Sequence, residues 1–108
     1  MIGNHVVVEE ADGVAPAGLG FVHGDVGALE QLVRARVRAA LDVLKTNAHV
    51  DPKRIAAIGY CFGGTTVLEL ARSGADLAGV VSFHGGLDSP TPADAKNIRC
   101  KILVLHGA

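Results

Sequence analysis

One stretch of the sequence sets a nucleophile among the glycines that would expose it: Ile58-Gly59-Tyr60-Cys61-Phe62-Gly63-Gly64. A G-x-C-x-G between an apolar run and a helical run is the nucleophile-elbow pattern with Cys in the place of Ser. The turn from strand to helix is tight, so a Cβ at Gly59 or Gly63 would meet neighbouring backbone. The residue at its apex is held in a strained conformation that lifts its side chain off the carboxyl end of the sheet. Its sulfur would then sit at a helix N-terminus, where backbone N–H groups and the macrodipole favour a thiolate. The Phe62 N–H would face the oxyanion of a tetrahedral intermediate and form half of an oxyanion hole. The chemistry is acyl transfer through Cys61. The competing reading makes Cys61 a small buried thiol in a tight turn.

The elbow needs a strand before it and a helix after it, and both are legible. Residues 54–60 form a short apolar run between turn signals, the pattern of a strand buried on both faces. Residues 62–72 read as a helix with Val67, Leu68, Leu70 and Ala71 apolar and Gly74 as its stop. Residues 77–83 and 101–105 are predicted as two more buried strands, joined by a loop or broken turn over 88–97 that holds Pro90 and Pro92. Upstream, Leu29, Leu32, Val33, Val37, Ala40, Leu41 and Leu44 recur at spacings of three and four and predict a helix over 27–46. On it Glu30 precedes Arg34, and Arg38 precedes Asp42, by four residues, which reads as modest surface support. Arg34, Arg36 and Arg38 are expected on the solvated flanks. Residues 1–26 form a poorly patterned lead-in: a short strand over 5–9, then a glycine-rich loop in which His23-Gly24-Asp25 reads as a solvated turn. This order of elements gives an α/β class with a parallel sheet and right-handed crossovers.

Composition narrows the function. The chain has 108 residues, 49% hydrophobic and 19% charged, with a net charge of −1. Disorder is excluded by the hydrophobic content, and nucleic-acid binding by bulk charge is excluded because ten basic residues face eleven acidic ones. No apolar run approaches the ~20 residues of a membrane span, and no secretory leader is visible, so a cytoplasmic protein is expected. Cys61 and Cys100 stand 39 positions apart without a CxxC, which suggests neither a disulfide framework nor a zinc site.

The segment 54–64, Arg-Ile-Ala-Ala-Ile-Gly-Tyr-Cys-Phe-Gly-Gly, closely resembles the elbow of the dienelactone hydrolase family, cysteine-dependent α/β-hydrolases. The likeness continues through Leu68-Glu69-Leu70-Ala71-Arg72-Ser73-Gly74-Ala75-Asp76-Leu77 and Gly79-Val80-Val81-Ser82-Phe83-His84-Gly85-Gly86-Leu87. It resumes at Lys101-Ile102-Leu103-Val104-Leu105-His106-Gly107-Ala108 and reaches back to about Gly27. The resemblance implies a partial α/β-hydrolase fold over 1–108, truncated at both ends. It also implies hydrolysis of lactones or esters, with a small-molecule substrate and no cofactor or metal. Such a nucleophile needs a histidine base and an acid to orient it, in the chain order nucleophile, acid, histidine. In the family the acid directly follows the segment resembling 105–108 and the histidine comes later, so both fall beyond Ala108.

Residues within the chain do not replace them. His84 is read as part of the sheet rim, His106 as structural, Cys100 as an ordinary buried or half-buried thiol, and Asp88 and Asp94 as surface residues of the proline-containing loop, with Asp88 in reach of His84. The family's second oxyanion donor and its substrate-holding arginines come from strands ahead of the long helix. The same region of the family supplies an acidic residue that engages the resting cysteine, and nothing carries that role onto Glu9 or Glu10. The 108 residues by themselves are therefore expected to lack hydrolase turnover. Two alternatives are a reactive-thiol protein, redox-active or acyl-accepting, and a non-functional scaffold piece whose open sheet edges favour association.

Overall fold

The apolar runs become strands and the amphipathic runs become helices. In the computed structural model, residues 4–8 and 26–107 are described, with 4–8 and 26–28 as backbone only. The order is β1 (Asn4–Val8), α1 (Val26–Lys45), β2 (Ile55–Tyr60), α2 (Phe62–Arg72), β3 (Gly79–Phe83), a short 3-10 helix (Pro92–Asn97) and β4 (Lys101–Leu105). The four strands form one sheet in the order β1-β2-β3-β4, and every pair is parallel. The glycine-rich loop, the His23-Gly24-Asp25 turn, and Glu9 and Glu10 lie outside the described residues. Among the described residues, no helix is long and apolar enough to cross a membrane.

The turns follow the local chemistry. The helix α1 closes with Thr46 N–H on Asp42 O at 3.2 Å and the Thr46 hydroxyl on Val43 O at 2.7 Å. Asp51 then turns the chain by accepting from Lys53 N–H at 3.0 Å, ahead of β2. At the end of α2, Gly74 takes φ +81, as its place as a stop requires, and donates to Ala71 O at 3.0 Å. The segment over 88–97 is more ordered than its sequence suggested. Pro92 starts the 3-10 helix there, because a missing N–H costs nothing in a first turn.

The core lies on one side of the sheet. Ile55 and Ala57 of β2 and Val80 of β3 are buried against Val67, Leu70 and Ala71 of α2, and Val37 and Leu41 of α1 close the same cluster. The alternate residues, Ala56, Ile58, Val81 and Phe83, are only half-buried. On that half-open face Tyr60 and Phe83 stack at 4.6 Å. The expectation that β2 and β3 are buried on both faces therefore holds for one face.

Two further expectations are corrected. The strand β4 is not buried: Ile102, Leu103, Val104 and Leu105 are each 37–51% exposed, because nothing among the described residues packs beyond this edge. On α1, the apolar stripe is buried at Val33, Val37 and Leu41, whereas Leu29 and Leu32 are exposed. Arg34 is also buried, at 8%, while Arg36 and Arg38 remain exposed as expected.

Candidate active site

Cys61 sits where β2 gives way to α2, with φ 52 and ψ −118. These angles match the first central position of a type II′ turn, a conformation dominated by glycine. For a residue with a Cβ, such backbone costs of order 1–3 kcal/mol and persists only where its surroundings enforce it. The enforcing contacts are on both sides. Cys61 N–H donates to Phe83 O at 2.9 Å, which continues the β2–β3 ladder by one residue. Cys61 O accepts from Thr65 N–H at 3.2 Å, which is already the first turn of α2. The apex is thus tied to a strand and a helix at once.

The glycines permit this closeness. A Cβ on Gly59 would land on the carbonyl of Gly63, so Gly59 must be glycine and Gly63 forms the wall it faces. A Cβ on Gly64 would lie 2.5 Å from Ser82 Oγ and 3.0 Å from the Gly85 Cα. The glycine pair 64 and 85 therefore lets the start of α2 settle directly on the end of β3. Ser82, fully buried between them, has a hydroxyl without a hydrogen-bond partner among the described residues.

The register builds a row along the carboxyl edge of the sheet. Tyr60 pairs with Phe83 and Phe83 with Leu105, so the next residues, Cys61, His84 and His106, leave three neighbouring strands side by side. Cys61 and His84 are exposed. His84 also has positive φ, at 55, and donates its N–H to Leu105 O at 2.8 Å. Its ring stacks on that of His106 with centroids 5.2 Å apart. Asp88 is exposed and forms no ion pair with His84. Cys100 is half-buried against the core, and burial pushes its thiol up. Among the described residues, no three His, Cys, Asp or Glu side chains converge as metal ligands. Phe62 opens α2 immediately after Cys61, so its N–H belongs to the first turn of that helix.

A family model described as "Dienelactone hydrolase family" matches residues 22–108. The chain belongs to the dienelactone hydrolase family. The solved chain "m3DLH" is 55% identical, with a TM-score of 0.70 over 76% of this chain and 34% of its own. A crystal structure of a dienelactone hydrolase-like promiscuous phosphotriesterase from metagenomic libraries is 49% identical, with the same TM-score and coverage. "Putative esterase NocK" of Nocardia uniformis subsp. tsuyamanensis is 45% identical over 60 residues, 55% of this chain and 17% of its own. The chain spans about a third of the length of the solved relatives, and 35% or less of the curated ones it matches. The partial α/β-hydrolase architecture expected from the sequence is therefore what this family member folds into.

Behind the elbow lies a second set of polar residues that the sequence reading did not assemble. Arg34 spends all three guanidinium nitrogens on carboxylates: Nε on Glu69 at 2.9 Å, Nη1 on Asp94 at 2.8 Å and Nη2 on Glu30 at 2.5 Å. Glu69 in turn accepts from Arg72 Nη1 at 2.5 Å. The Thr91 hydroxyl lies 3.0 Å from both Glu30 Oε1 and Asp94 Oδ2. The pair Glu30 and Arg34 is thus not surface support, and Asp94 is not a free loop residue. Burial pushes the Glu30 carboxyl up, and the adjacent Glu69 adds to the effect. Asp94 is held below the usual range by its hydrogen bonds from Arg34 and Thr91. One signal was available in the sequence: Glu69 stands alone among Val67, Leu68, Leu70 and Ala71, so a helix burying that run must bury its charge.

Proposed function

We propose that the protein carrying this chain hydrolyses lactone or carboxylic ester bonds, with Cys61 as nucleophile and the Phe62 backbone N–H as one oxyanion donor. The observation that carries this reading is the backbone of Cys61, at φ 52 and ψ −118 on the first turn of α2. Strain of this kind gathers at functional residues, and it sets the thiol, exposed, at the positive end of an 11-residue helix. Membership of the dienelactone hydrolase family supports the same chemistry, as does similarity to a protein named as an esterase. Similarity to a promiscuous phosphotriesterase favours a second substrate class, activated phosphate triesters, for the same nucleophile.

In the ester reaction the Cys61 thiolate adds to the carbonyl carbon, a C–S bond forms and the carbonyl π pair moves onto oxygen. Collapse of this intermediate breaks the C–O bond, and the alkoxide leaves and takes up a proton. Water then cleaves the thioester to acid and free thiol. The base and acid for that last step are the residues the family resemblance carries beyond Ala108. The 108 residues alone therefore accept an acyl group and do not turn over, since loss of such partners costs orders of magnitude in rate. The substrate is a small molecule, in a cytoplasmic setting, with no cofactor in the reaction.

The test is hydrolysis of an activated aryl acetate by the full protein and by its Cys61→Ala variant. Loss of turnover in the variant is expected. Turnover that survives the substitution removes Cys61 from the mechanism. Repeated turnover by the 108 residues alone would show that the missing partners are supplied from within them.

A further inference from the structure

Burying charge is a poor way to gain stability, because desolvation offsets most of the attraction and an apolar replacement is often as good. Of the five charged side chains behind the elbow, Glu30, Arg34 and Glu69 are buried and therefore call for a reason in geometry. Glu69 and Arg34 are 4% and 8% exposed, and their bonds run in one continuous line. Asp94 Oδ2 accepts from Arg34 Nη1, Arg34 Nε donates to Glu69 Oε2, and Glu69 Oε1 accepts from Arg72 Nη1. The line ends outside the helices: Arg72 Nη2 donates to the backbone carbonyl of Leu87 at 3.2 Å.

Leu87 belongs to segment 84–87, which leaves β3 beside the nucleophile. Two contacts already press that segment onto the first turn of α2. Gly86 N–H donates to Thr65 Oγ1 at 2.8 Å, and the backbone of Gly85 packs against Gly64 and Thr65. Arg72, two turns further along the same helix, closes the third side. At the other end of the loop, Thr91 and Asp94 are held by Glu30 and Arg34. The cluster thus grips the connection from β3 to the 3-10 helix at both ends, from residues of α1 and α2.

We infer that Glu69 and Arg72 are positioning residues: Glu69 orients Arg72, and Arg72, through the Leu87 carbonyl, fixes segment 84–87 as one wall of the approach to Cys61. The inference rests on the proposed role of Cys61 for its catalytic meaning, but the clamp itself does not. A guanidinium suits the task because its planar fork serves a carboxylate with one nitrogen and a carbonyl with another.

The experiment compares wild type, Arg72→Met, Glu69→Gln and the double variant in the full protein, by two readouts. The first is amide exchange. Arg72→Met should speed exchange over 84–87, Gly86 above all, by about tenfold, the scale of one lost charge-assisted hydrogen bond. The amides of Val67, Leu68 and Leu70 should keep their protection, which a general loss of stability would not allow. The second is the rate of Cys61 acylation by an activated aryl ester. It should fall by about 10-fold to 100-fold, as misplacement by an ångström does, and the double variant should be no slower than the worse single one. Should Glu69→Gln fail to fold, Arg72→Met decides alone. Unchanged exchange over 84–87 in Arg72→Met overturns the clamp, and an unchanged acylation rate overturns its bearing on the site. If wild-type Cys61 takes no acyl group, the functional reading fails while the exchange data still judge the clamp.

Discussion

Replacing Cys61 by glycine should leave this protein more stable than replacing it by alanine. Cys61 is exposed, so truncating its side chain removes little buried surface. Its φ of 52 and ψ of −118 is glycine's conformation, and a Cβ there costs of order 1–3 kcal/mol. Glycine loses about 0.5–1 kcal/mol more backbone entropy than alanine on folding. The comparison that isolates the strain is Cys61→Gly against Cys61→Ala, since both remove the sulfur and only one keeps the Cβ. The difference leaves Cys61→Gly ahead by about 1 kcal/mol, which is about 4–8 °C where a unit of about 100 residues unfolds and about 2–4 °C where a unit of about 150–250 residues does. Thermal unfolding followed by circular dichroism, with urea titration to check the free energy, measures it. If Cys61→Gly melts with or below Cys61→Ala, the elbow stores no strain at Cys61.

Other expectations follow from the same contacts. Gly59→Ala drives a Cβ into the Gly63 carbonyl and should cost about 1–3 kcal/mol or prevent folding, as urea melts would show. Ser82→Ala removes a fully buried hydroxyl that has no partner among the described residues, and should leave stability unchanged or raise it by about 1 kcal/mol; a loss above that in the same melts would mean the hydroxyl is satisfied. Leu70→Ala opens the centre of the core and should cost about 2–5 kcal/mol by denaturant titration. The charge cluster gives a pH signature with two signs. Glu30 is raised, so its contribution is complete below the ordinary carboxyl range and is lost as pH climbs through its folded value. Asp94 is lowered, so its contribution is present above the ordinary range and is lost as pH falls through its depressed value. Glu30→Gln should accordingly gain on wild type as pH rises above the ordinary carboxyl range, measured as the difference in urea midpoints.

The fold was legible wherever local pattern and tertiary role agree. The run 54–60, the helix over 62–72 and its Gly74 stop were each marked by short-range chemistry, and the structure places them within two residues. The elbow was legible for the same reason, because Gly59 answers to the Gly63 carbonyl four positions away. Burial was less so. The strand β4 reads as core from Ile102 to Leu105, but whether it is covered depends on what packs beyond it, and no local pattern carries that. Arg34 shows the opposite failure. Its neighbours Arg36 and Arg38 are exposed as a charged face should be, yet its own charge is buried because Glu69 and Asp94, 35 and 60 residues away, converge on it. Helical spacing exposes the Glu30 contact and is silent on the other two.

The proposed chemistry begins with attack of Cys61 on an ester carbonyl. Mass analysis of the intact protein and its peptides after brief exposure to an activated aryl acetate tests it without need of turnover. The expected result is one acetyl group, confined to the peptide holding Cys61 and absent in Cys61→Ala. Acetylation spread evenly over Cys61 and Cys100, or none at Cys61, would contradict it.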